Sequence, residues 1–434
     1  QFHWRRCTQS SYHLSIGNHL IYESSISFAK RLDQGDPLNK FRNKFNIPED
    51  DGKELIYFAG NSLGLMPITS KSSVMKELEV WEKMGVLGQH KRWVEYHTRL
   101  TKSTATIVGA KPKEVVVMNA LTINLHLLLI SFYQPTPKRN KIIIEQGAFP
   151  SDRYAVESQI RLHGYDPNDS LIEMRPRENE LCLRTKDIID TINRHGDSVA
   201  TILIGSVNYY TGQAFEIEKI TKAGHSVDAR VGFDLAHGVG NLNLDLHNWN
   251  VDFAVWCSYK YLCGGPGSPG GVFVHEKHAD WSGPRLNGWW GNKQRTRFLM
   301  DSELDSIVGA EGWQISNAPI LAMACLKSSM SLFDTAGMPA IIKKSIKLTG
   351  YLEYLIDSLE QYIKIITPKN YRHRGAQLSI VVKKEPKKVF NSLRSNQVVC
   401  DWREPDVIRI APAPLYNTFV DIYRFYEVIK GSVK

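Results

Sequence analysis

The sequence predicts an α/β fold, with a large domain built on a mostly parallel central sheet and a smaller α+β domain. Apolar runs typical of buried strands alternate with helical patterns between about residues 114 and 276. This alternation is typical of βαβ units that form a parallel sheet. From about residue 318 the order changes to two long helices followed by two strands. Together, these observations predict the two-part architecture.

The individual elements can be placed from the same patterns. Strands are predicted over residues 114–120, 140–149, 199–208, 229–238, 252–260, 270–276, 377–384 and 407–417. Helices are predicted over residues 121–133, 150–164, 319–337 and 338–362. Pro150 and Ser151 stand at the start of the second of these helices.

The chain is expected to divide into four parts. Residues 1–24 form an atypical leader that matches no motif, so we assign it no function. Residues 25–70 form an N-terminal segment that contributes to the small domain and to the active site. The large, ligand-binding domain covers residues 71–325, and the small C-terminal domain covers residues 326–434.

Composition favours an enzyme over a nucleic-acid-binding protein. The chain has 434 residues, of which 42% are hydrophobic, and a formal net charge of +9. A basic protein can bind nucleic acid, but the lysines and arginines are scattered and never form a dense run of five. We therefore expect a mildly basic enzyme with an anionic small-molecule ligand, and neither a nucleic-acid nor a membrane partner.

The six cysteines have neither disulfide nor zinc-site spacing. No two of them form a C-x-x-C pair, and none stands near a histidine at a spacing typical of zinc ligands. In a chain of this length, that pattern indicates free thiols in a reducing compartment and no metal site. No apolar stretch approaches the roughly 20 residues of a membrane-spanning helix. A cytoplasmic location is therefore expected.

A glycine-rich loop follows the strand predicted over 252–260. Gly265, Gly267 and Gly270 have the G-x-G-x-x-G spacing of a dinucleotide-binding loop. That fingerprint needs a strand before it and a helix after it, whereas here two prolines interrupt it and a strand follows. We interpret the loop as a tight turn that brings backbone close to a ligand or to a neighbouring chain.

Asp234 and Lys260 stand at the ends of two successive predicted strands. The carboxyl ends of parallel strands line the ligand cleft of an open sheet, so both side chains are expected to point into one cleft. Each has a plainer interpretation by itself, since the aspartate can cap a helix and the lysine can lie on the surface. Together they indicate pyridoxal phosphate, which needs an amine for a Schiff base and a carboxylate against its ring nitrogen.

Other residues can supply what this cofactor also requires. Leu121 and Thr122 open a predicted helix, whose N-terminal amides can bind a phosphate. Phe149 can stack on the ring, although core packing is an equal alternative. His237 can support the ring edge, or it can be a hydrogen-bonded core histidine. Ser258 and Tyr259 adjoin the lysine and carry hydroxyls.

Motifs from about residue 25 to the end of the chain resemble those of kynureninases. They are YFAGNSLGLMP (57–67), MNALTINLHLLL (118–129), AFPSDRYAVESQ (148–159), YYTGQ (209–213), VGFDLAHGVGN (231–241), DFAVWCSYKYL (252–262), GWW (288–290), ISNAPI (315–320) and IRIAPAPLYN (408–417). The resemblance implies fold type I of the pyridoxal phosphate enzymes, which is the aspartate aminotransferase fold. It also implies hydrolysis of L-kynurenine or 3-hydroxy-L-kynurenine to anthranilate or 3-hydroxyanthranilate and L-alanine, in tryptophan degradation and NAD synthesis.

The resemblance further implies a role for each matching residue. Lys260 would hold pyridoxal 5′-phosphate and move protons, and Tyr259 would be an acid–base group. Asp234 would pair with the ring nitrogen. The other cofactor-binding residues would be Leu121, Thr122, Phe149, Pro150, Ser151, Asp152, Gly205, His237, Trp289 and Asn317, the last two at least partly across a homodimer interface. Arg409 would bind the substrate carboxylate, with Asn61 and Ser62 nearby.

Two segments depart from the family pattern. In GVLGQHKRW (85–93), either Gln89 replaces the histidine expected near the aryl ring of the substrate, or His90 is that histidine displaced by one position. In LIGSVNYY (203–210), Gly205 precedes Ser206 where a serine followed by a glycine is expected. The second departure moves a hydroxyl that could contact the cofactor. Preference between the two substrates stays open.

Two alternatives to this function are kept. One is another enzyme of the same fold, a cysteine desulfurase or an aminotransferase, although Cys325 and Cys400 are poorly placed for a desulfurase. The other is a non-catalytic relative, against which the intact Lys260 and Asp234 argue.

Overall fold

The computed structural model describes residues 21–434, so most of the leader expected over 1–24 lies outside the described residues. The strands are β1 (Glu49–Asp50), β2 (Lys53–Glu54), β3 (Ile56–Tyr57), β4 (Val115–Met118), β5 (Lys141–Glu145), β6 (Leu171–Met174), β7 (Val199–Gly205), β8 (Arg230–Asp234), β9 (Phe253–Trp256), β10 (Gly270–Val274), β11 (Ile363–Ile365), β12 (Leu378–Val382), β13 (Val398–Val399), β14 (Asp401–Arg403) and β15 (Val407–Ile410). The α-helices are α1 (Ile26–Gln34), α2 (Ser70–Met84), α3 (Val86–Gly88), α4 (Thr98–Val108), α5 (Leu121–Phe132), α6 (Pro150–Leu162), α7 (Pro167–Ser170), α8 (Thr185–His195), α9 (Ile217–Ser226), α10 (Gln294–Arg297), α11 (Ile320–Ala336), α12 (Met338–Asp357), α13 (Pro386–Ser395) and α14 (Phe419–Val433).

The central sheet contains seven of these strands, in the order β4-β10-β9-β8-β7-β5-β6. Neighbouring strands from β9 to β6 are parallel to each other, whereas β10 is antiparallel to both β9 and β4. The predicted α/β class with a mostly parallel sheet is therefore confirmed. All six strands predicted for this domain are present, each shorter than expected, and β6 is an additional edge strand.

Both faces of the central sheet are buried. In β4, Val115 and Val117 pack in one hydrophobic core, while Val116 and Met118 pack in another. Because side chains alternate across a strand, these two cores lie on opposite faces of the sheet. The first core also contains residues of α4, α8, α9 and α11, and the second contains residues of α5 and α6. Helices therefore cover the sheet on each side, which explains its uniformly apolar strands.

A third core combines residues from both ends of the chain. Phe28 and Phe58 pack there with Leu352 of α12, Ile380 of β12 and Phe425 of α14. A four-stranded antiparallel sheet, β11-β12-β15-β14, contributes residues to this core. β3 also pairs with β13, in parallel. Residues of the 25–70 segment thus pack against the C-terminal part, as expected for a segment that contributes to the small domain. The exact domain limits stay a prediction.

Two structural findings concern the expectations about membrane-spanning helices and about the cysteines. No helix among residues 21–434 is both long and apolar enough to cross a membrane. Cys257, Cys263, Cys325 and Cys400 are free thiols.

Candidate active site

Three neighbouring strands of the central sheet end at one cleft. β5, β7 and β8 are adjacent, and their last residues are Glu145, Gly205 and Asp234. Gly205 is paired in register with Asp234. The next strand, β9, ends at Trp256 and leads through three residues to Lys260. The carboxyl ends of parallel strands thus bring these groups together, which is the juxtaposition that the sequence predicts.

A cavity lies at this edge of the sheet. Ten predicted site residues line it: Leu121, Thr122, Phe149, Ser151, Asp152, Gly205, Asp234, His237, Tyr259 and Lys260. Five further residues complete the lining: Glu145, Val207, Asn208, Tyr209 and Ala236. The lysine and the aspartate on which the cofactor prediction rests therefore share one cavity.

Lys260 faces an aromatic ring inside the cavity. Its Nζ lies 5.7 Å from the centroid of the Phe149 ring and 5.9 Å from that of Tyr259. The Phe149 ring meets the Tyr209 ring edge to face, with centroids 5.4 Å apart. Phe149 is 45% exposed, so it is not a core residue. Its ring is available to cover a planar ligand attached to Lys260.

Two helix N-termini meet at the cavity. α5 begins at Leu121 and α6 begins at Pro150, and the hydroxyls of Thr122 and Ser151 lie 2.8 Å apart. The unpaired amides and the dipole at a helix N-terminus attract anions. The Oγ of Ser258 is buried and has no hydrogen-bond partner among the described residues. This arrangement suits a phosphate group.

Asp234 and Asp152 are both buried and lie next to each other in the cavity. Asp234 Oδ1 also accepts the N–H of Ala236 at 2.6 Å. Burial raises the pKa of both carboxyls, and repulsion from Asp234 raises the pKa of Asp152 further. Asp152 Oδ1 has no partner within residues 21–434. A protonated ring nitrogen would supply the positive charge and the hydrogen-bond donor that this pair lacks.

His237 is a neutral imidazole at the wall of the cavity. It is 6% exposed, and its Nδ1 has no hydrogen-bond partner in the described part of the chain. Burial lowers its pKa well below the usual value, and the charges of Lys260 and Arg409 lower it further. A core histidine would be expected to have this nitrogen hydrogen-bonded. The free Nδ1 therefore favours the interpretation in which His237 contacts the ring of the cofactor.

Burial also raises the pKa of the Tyr259 hydroxyl, with a further contribution from Cys257. Tyr259 is therefore protonated at neutral pH. It stands next to Lys260 in the lining and can donate a proton or a hydrogen bond.

Arg409 lies beside the cavity, behind Tyr209. It is 1% exposed; its Nη1 donates to the Tyr209 carbonyl at 2.9 Å, and its Nη2 donates to Ser62 Oγ at 3.4 Å. The guanidinium also forms an ion pair with Asp401. Its Nε has no partner among the described residues. Burial lowers the pKa of Arg409 to about 10, so it remains a cation at neutral pH, with a donor left for a carboxylate.

Asn61 joins the same network. Its Nδ2 donates to Gln377 Oε1 at 2.8 Å, and Gln377 Nε2 donates to the Tyr209 carbonyl at 2.9 Å. The Oδ1 of Asn61 is buried without a partner within the described residues. The structure thus gathers the three residues predicted for the substrate around Tyr209, adjacent to the cofactor cavity.

Three predicted cofactor-binding residues do not line the cavity. Pro150 is the first residue of α6. Trp289 is 46% exposed and donates its Nε1–H to the Arg297 carbonyl at 2.8 Å. Asn317 is exposed and accepts the Ser316 hydroxyl at 3.3 Å. The roles of the last two stay predictions for a site completed by a second chain.

The two departures from the family pattern have different surroundings. Gln89 and His90 belong to a π-helix (Gln89–Trp93), and the His90 ring lies 5.9 Å from the Phe298 ring, outside the cavity lining. Gly205 lines the cavity, whereas the Ser206 hydroxyl is buried without a partner in the described chain. A Cβ at Gly238 would lie 2.5 Å from that hydroxyl, so Ser206 packs against Gly238 instead.

Among the site residues without a prediction, three contribute polar or aromatic groups that the site depends on: Glu145, Tyr209 and Asp401. Glu145 ends a parallel strand, as Asp234 does, so the same strand-end argument could have found it. Tyr209 lies within the YYTGQ motif but had no assigned role. Asp401 gave no usable signal, because its contact with Arg409 depends on the pairing of β14 with β15.

The buried carboxyl pair, the lysine beside an exposed aromatic ring and the two helix N-termini fit pyridoxal phosphate. Solved structures share the architecture. The cysteine desulfurase CsdA of Escherichia coli aligns with a TM-score of 0.72 and 13% identity, covering 91% of this chain and 98% of its own. The structure of a C-DES mutant that carries glycine linked covalently to its pyridoxal phosphate cofactor aligns with a TM-score of 0.72 and 14% identity, covering 86% of this chain and 96% of its own. At these identities, the likeness shows the fold alone, which is fold type I of the pyridoxal phosphate enzymes.

Sequence relatives identify the family. Residues 341–429 match the kynureninase C-terminal domain. A kynureninase of Myxococcus xanthus is 53% identical over 420 residues, covering 95% of this chain and 99% of its own. A kynureninase of Mus musculus is 49% identical over 427 residues, covering 92% of both chains. The chain therefore belongs to the kynureninase family of pyridoxal phosphate-dependent hydrolases that act on carbon–carbon bonds.

Proposed function

We propose that the cavity around Lys260 is where this chain carries out the kynureninase reaction, with the residue roles given below. In that reaction, water splits the bond between Cβ and the side-chain carbonyl carbon of kynurenine or 3-hydroxykynurenine, giving the aryl carboxylate and L-alanine. The observation that carries the proposal is the shared cavity of Lys260, Asp234 and Phe149, with a buried arginine, Arg409, at its margin.

The cofactor would be held by residues of α5, α6, β7 and β8 and of the loops next to these elements and after β9. Pyridoxal phosphate, when bound, supplies a conjugated electron sink. Lys260 would hold it covalently, Asp234 would pair with its ring nitrogen with Asp152 alongside, and Phe149 would cover its ring. The N-termini of α5 and α6, through Leu121, Thr122 and Ser151, would bind its phosphate. Gly205 and His237 would form the remaining wall.

The substrate would be oriented by the network around Tyr209. Arg409 would bind the α-carboxylate, for which a planar, charged fork is the natural partner. Asn61 and Ser62 would flank the same group, since both are hydrogen-bonded into that network. With the carboxylate bound there, the α-carbon of the substrate would lie towards Lys260.

Two groups would move protons. The Lys260 amine, once exchanged for the substrate amine, is free to take the proton from the α-carbon and to return one later. The hydroxyl of Tyr259 is protonated at neutral pH and adjacent to the lysine, so it can donate a proton as the carbon–carbon bond breaks. Phe149 would exclude water from one side of the reacting centre.

Anthranilate formation, followed by its fluorescence, tests the proposal. The wild-type protein should release anthranilate from kynurenine, and Lys260→Ala should release none above a buffer blank. Borohydride reduction of the loaded wild-type protein should add the cofactor mass to the peptide that contains Lys260 and to no other peptide. Turnover by Lys260→Ala, or a label elsewhere, would contradict the assignment.

The desulfurase alternative is tested in the same experiment by assaying sulfide from cysteine. No cysteine is among the residues that line the cavity, and Cys400 is buried between β13 and β14. We therefore expect anthranilate and no sulfide. The relative values of kcat/KM for kynurenine and 3-hydroxykynurenine would show which of the two substrates the enzyme prefers.

We further propose that the chain acts as a homodimer in the cytoplasm. Support for the dimer comes from six large apolar side chains that are at least 46% exposed, Val86, Leu87, Trp289, Phe298, Leu299 and Met300, which we call the exposed apolar face. The rings of Trp289 and Phe298 are in contact, with centroids 5.4 Å apart. A face of this kind on a folded chain is typical of a protein interface. If a second copy of the chain covers this face, it would also explain why Trp289 and Asn317 resemble cofactor-binding residues of the family. Both lie outside the cavity of their own chain. The free thiols favour a reducing compartment.

A further inference from the structure

Glu145 is a buried carboxyl in the cavity that none of the proposed roles uses. It ends β5 and is 3% exposed. Its Oε1 accepts the N–H of Gly205 at 3.1 Å. Its Oε2 is buried and has no hydrogen-bond partner among residues 21–434. One oxygen is therefore anchored to the neighbouring strand, and the other is free inside the cavity.

Gly205 provides the space in which this carboxyl lies. A Cβ built at Gly205 would stand 3.0 Å from Glu145 Oε1, which is closer than side chains normally approach. Gly205 lies on β7, between β5 with Glu145 and β8 with Asp234. Because Gly205 has no side chain, none stands on the middle strand between Glu145 and Asp234, and the charge of Asp234 acts on Glu145.

The charges in the cavity do not balance if every carboxyl is ionised. Glu145, Asp152 and Asp234 are all buried there, and Lys260 is the one basic side chain of the lining that is charged, since His237 is neutral. A buried carboxylate without a counter-ion is costly and takes up a proton instead. Asp234 is needed as an anion for the ring nitrogen, and Asp152, whose pKa is raised by burial and by the adjacent Asp234, takes up one proton. Glu145, whose Oε2 has no hydrogen-bond partner among residues 21–434, is the second carboxyl expected to take up a proton.

We propose that Glu145 is a protonated carboxylic acid below neutral pH, ionises as the pH rises through neutrality, and serves in its protonated form as a positioning residue, which ties the end of β5 to Gly205 without placing a further negative charge beside Asp234. Burial, together with the charge of Asp234, raises the pKa of Glu145 to about 7. The inference rests on the proposed cofactor site. Its consequence is that ionisation of Glu145 above neutral pH changes the electrostatic surroundings of the bound cofactor.

Glu145→Gln tests this idea, because glutamine keeps the shape and the acceptor for Gly205 but cannot ionise. The readouts are the affinity of the apoprotein for pyridoxal phosphate, from quenching of tryptophan fluorescence, and the absorption spectrum of the bound cofactor against pH. Below neutral pH, we expect the variant to match the wild type, with affinities within about twofold. Above it, the wild-type spectrum should pass through an inflection that Glu145→Gln lacks. If the same inflection persists in Glu145→Gln, Glu145 is not the group that titrates, and the inference is wrong.

Glu114→Gln is the matched control. Glu114 is a fully buried glutamate outside the cavity, which lies 2.9 Å from His247 Nδ1 and accepts the N–H of Glu276. Its substitution should lower stability and leave both cofactor readouts unchanged. If Glu145→Gln does not fold, Gly205→Ala serves instead, because the added methyl displaces the Glu145 carboxyl. That variant should move the wild-type inflection.

The outcomes separate the inference from the proposed site. If the wild-type apoprotein takes up no pyridoxal phosphate, the proposed site is wrong. If it takes up the cofactor but Glu145→Gln binds it more than about tenfold differently below neutral pH, Glu145 is charged and the inference is overturned. An identical pH dependence in the wild type and Glu145→Gln, or an unmoved inflection in Gly205→Ala, would also overturn it.

Discussion

Asp401 and Arg409 stand directly opposite each other on the antiparallel strands β14 and β15, and their side chains form an ion pair beside the cavity. Ser62 Oγ donates to the same Asp401 oxygen at 2.6 Å. Arg409 is almost completely buried, whereas the Asp401 side chain is 16% exposed. The carboxylate therefore fixes one edge of the guanidinium while Nε remains available.

Arg409→Lys should raise KM by about 10-fold or more, because a lysine keeps the charge but loses the planar fork, and a charged hydrogen bond contributes roughly 1.5–3 kcal/mol. The absorption of the bound cofactor should stay unchanged, since Arg409 does not line the cofactor cavity. Steady-state kinetics with kynurenine measures this effect. Arg403→Lys is the control, because Arg403 also pairs with Asp401 but is 38% exposed. An unaltered KM in Arg409→Lys would remove this residue from substrate binding.

Asp401→Asn should lower the free energy of unfolding by about 1–3 kcal/mol, because it leaves the buried guanidinium without its counter-ion. Urea denaturation measures the loss. Combined with Arg409→Lys, the two changes should be less than additive, since each one disrupts the same ion pair. If the double variant shows simple additivity within about 0.5 kcal/mol, the pair does not couple the two strands.

The sequence predicts the cofactor-binding residues well, because their positions depend on nearby strand ends and helix starts. Asp234 ends β8, Lys260 follows the end of β9 by four residues, and Pro150 begins α6, where proline is favoured. Each of these signals lies within a few residues of the group that it positions. The strand predicted over 199–208 is longer than β7 because the chain turns into the cavity after Gly205, a change that an apolar run cannot reveal.

The substrate half of the site could not be derived in the same way. Asp401 meets Arg409 through the register of β14 and β15, and strands as short as β13 and β14 have too few residues for an alternating pattern. Glu145 acquires its partner only once β5, β7 and β8 are known to be neighbours. Contacts of this kind depend on strand order, which a single sequence does not specify.

Asp252 is expected to be a main source of acid sensitivity. It is fully buried, lies 2.8 Å from His225 Nε2 and 2.7 Å from His278 Nε2, and pairs with Lys277. Its hydrogen bonds to the two histidines, and the nearby lysine, hold its pKa far below the usual value despite burial. A depressed pKa gives stability that is present above the unfolded value of about 3.9 and is lost as pH falls below it.

Asp252→Asn should therefore reduce the free energy of unfolding at neutral pH by about 3–5 kcal/mol, the cost of removing one partner from a buried ionic cluster. It should also weaken the loss of stability on acidification below about pH 4. Urea denaturation at neutral and acidic pH measures both effects. Asp197→Asn, at a fully exposed position, should change stability by less than about 0.5 kcal/mol. Equal stability of Asp252→Asn and the wild type would show that the cluster contributes nothing.

The proposed homodimer makes a prediction about the exposed apolar face. Leu299 and Met300 are 65% and 75% exposed, and an aspartate at either position would bury an unpaired charge if the face is covered by a second copy. Leu299→Asp and Met300→Asp should therefore shift the protein from dimer to monomer in sedimentation equilibrium. Leu162→Asp, which changes a 69% exposed leucine at the end of α6, is the matched control and should leave the dimer intact.

The same variants connect assembly with activity. If Trp289 and Asn317 complete the cavity of the other chain, then dissociation removes them from it, and kcat/KM should fall together with the fraction of dimer as the protein is diluted. The wild type should lose activity only at concentrations at which it dissociates. Monomeric Met300→Asp with wild-type kcat/KM would show that one chain holds the whole site, and a monomeric wild type would exclude the interface itself.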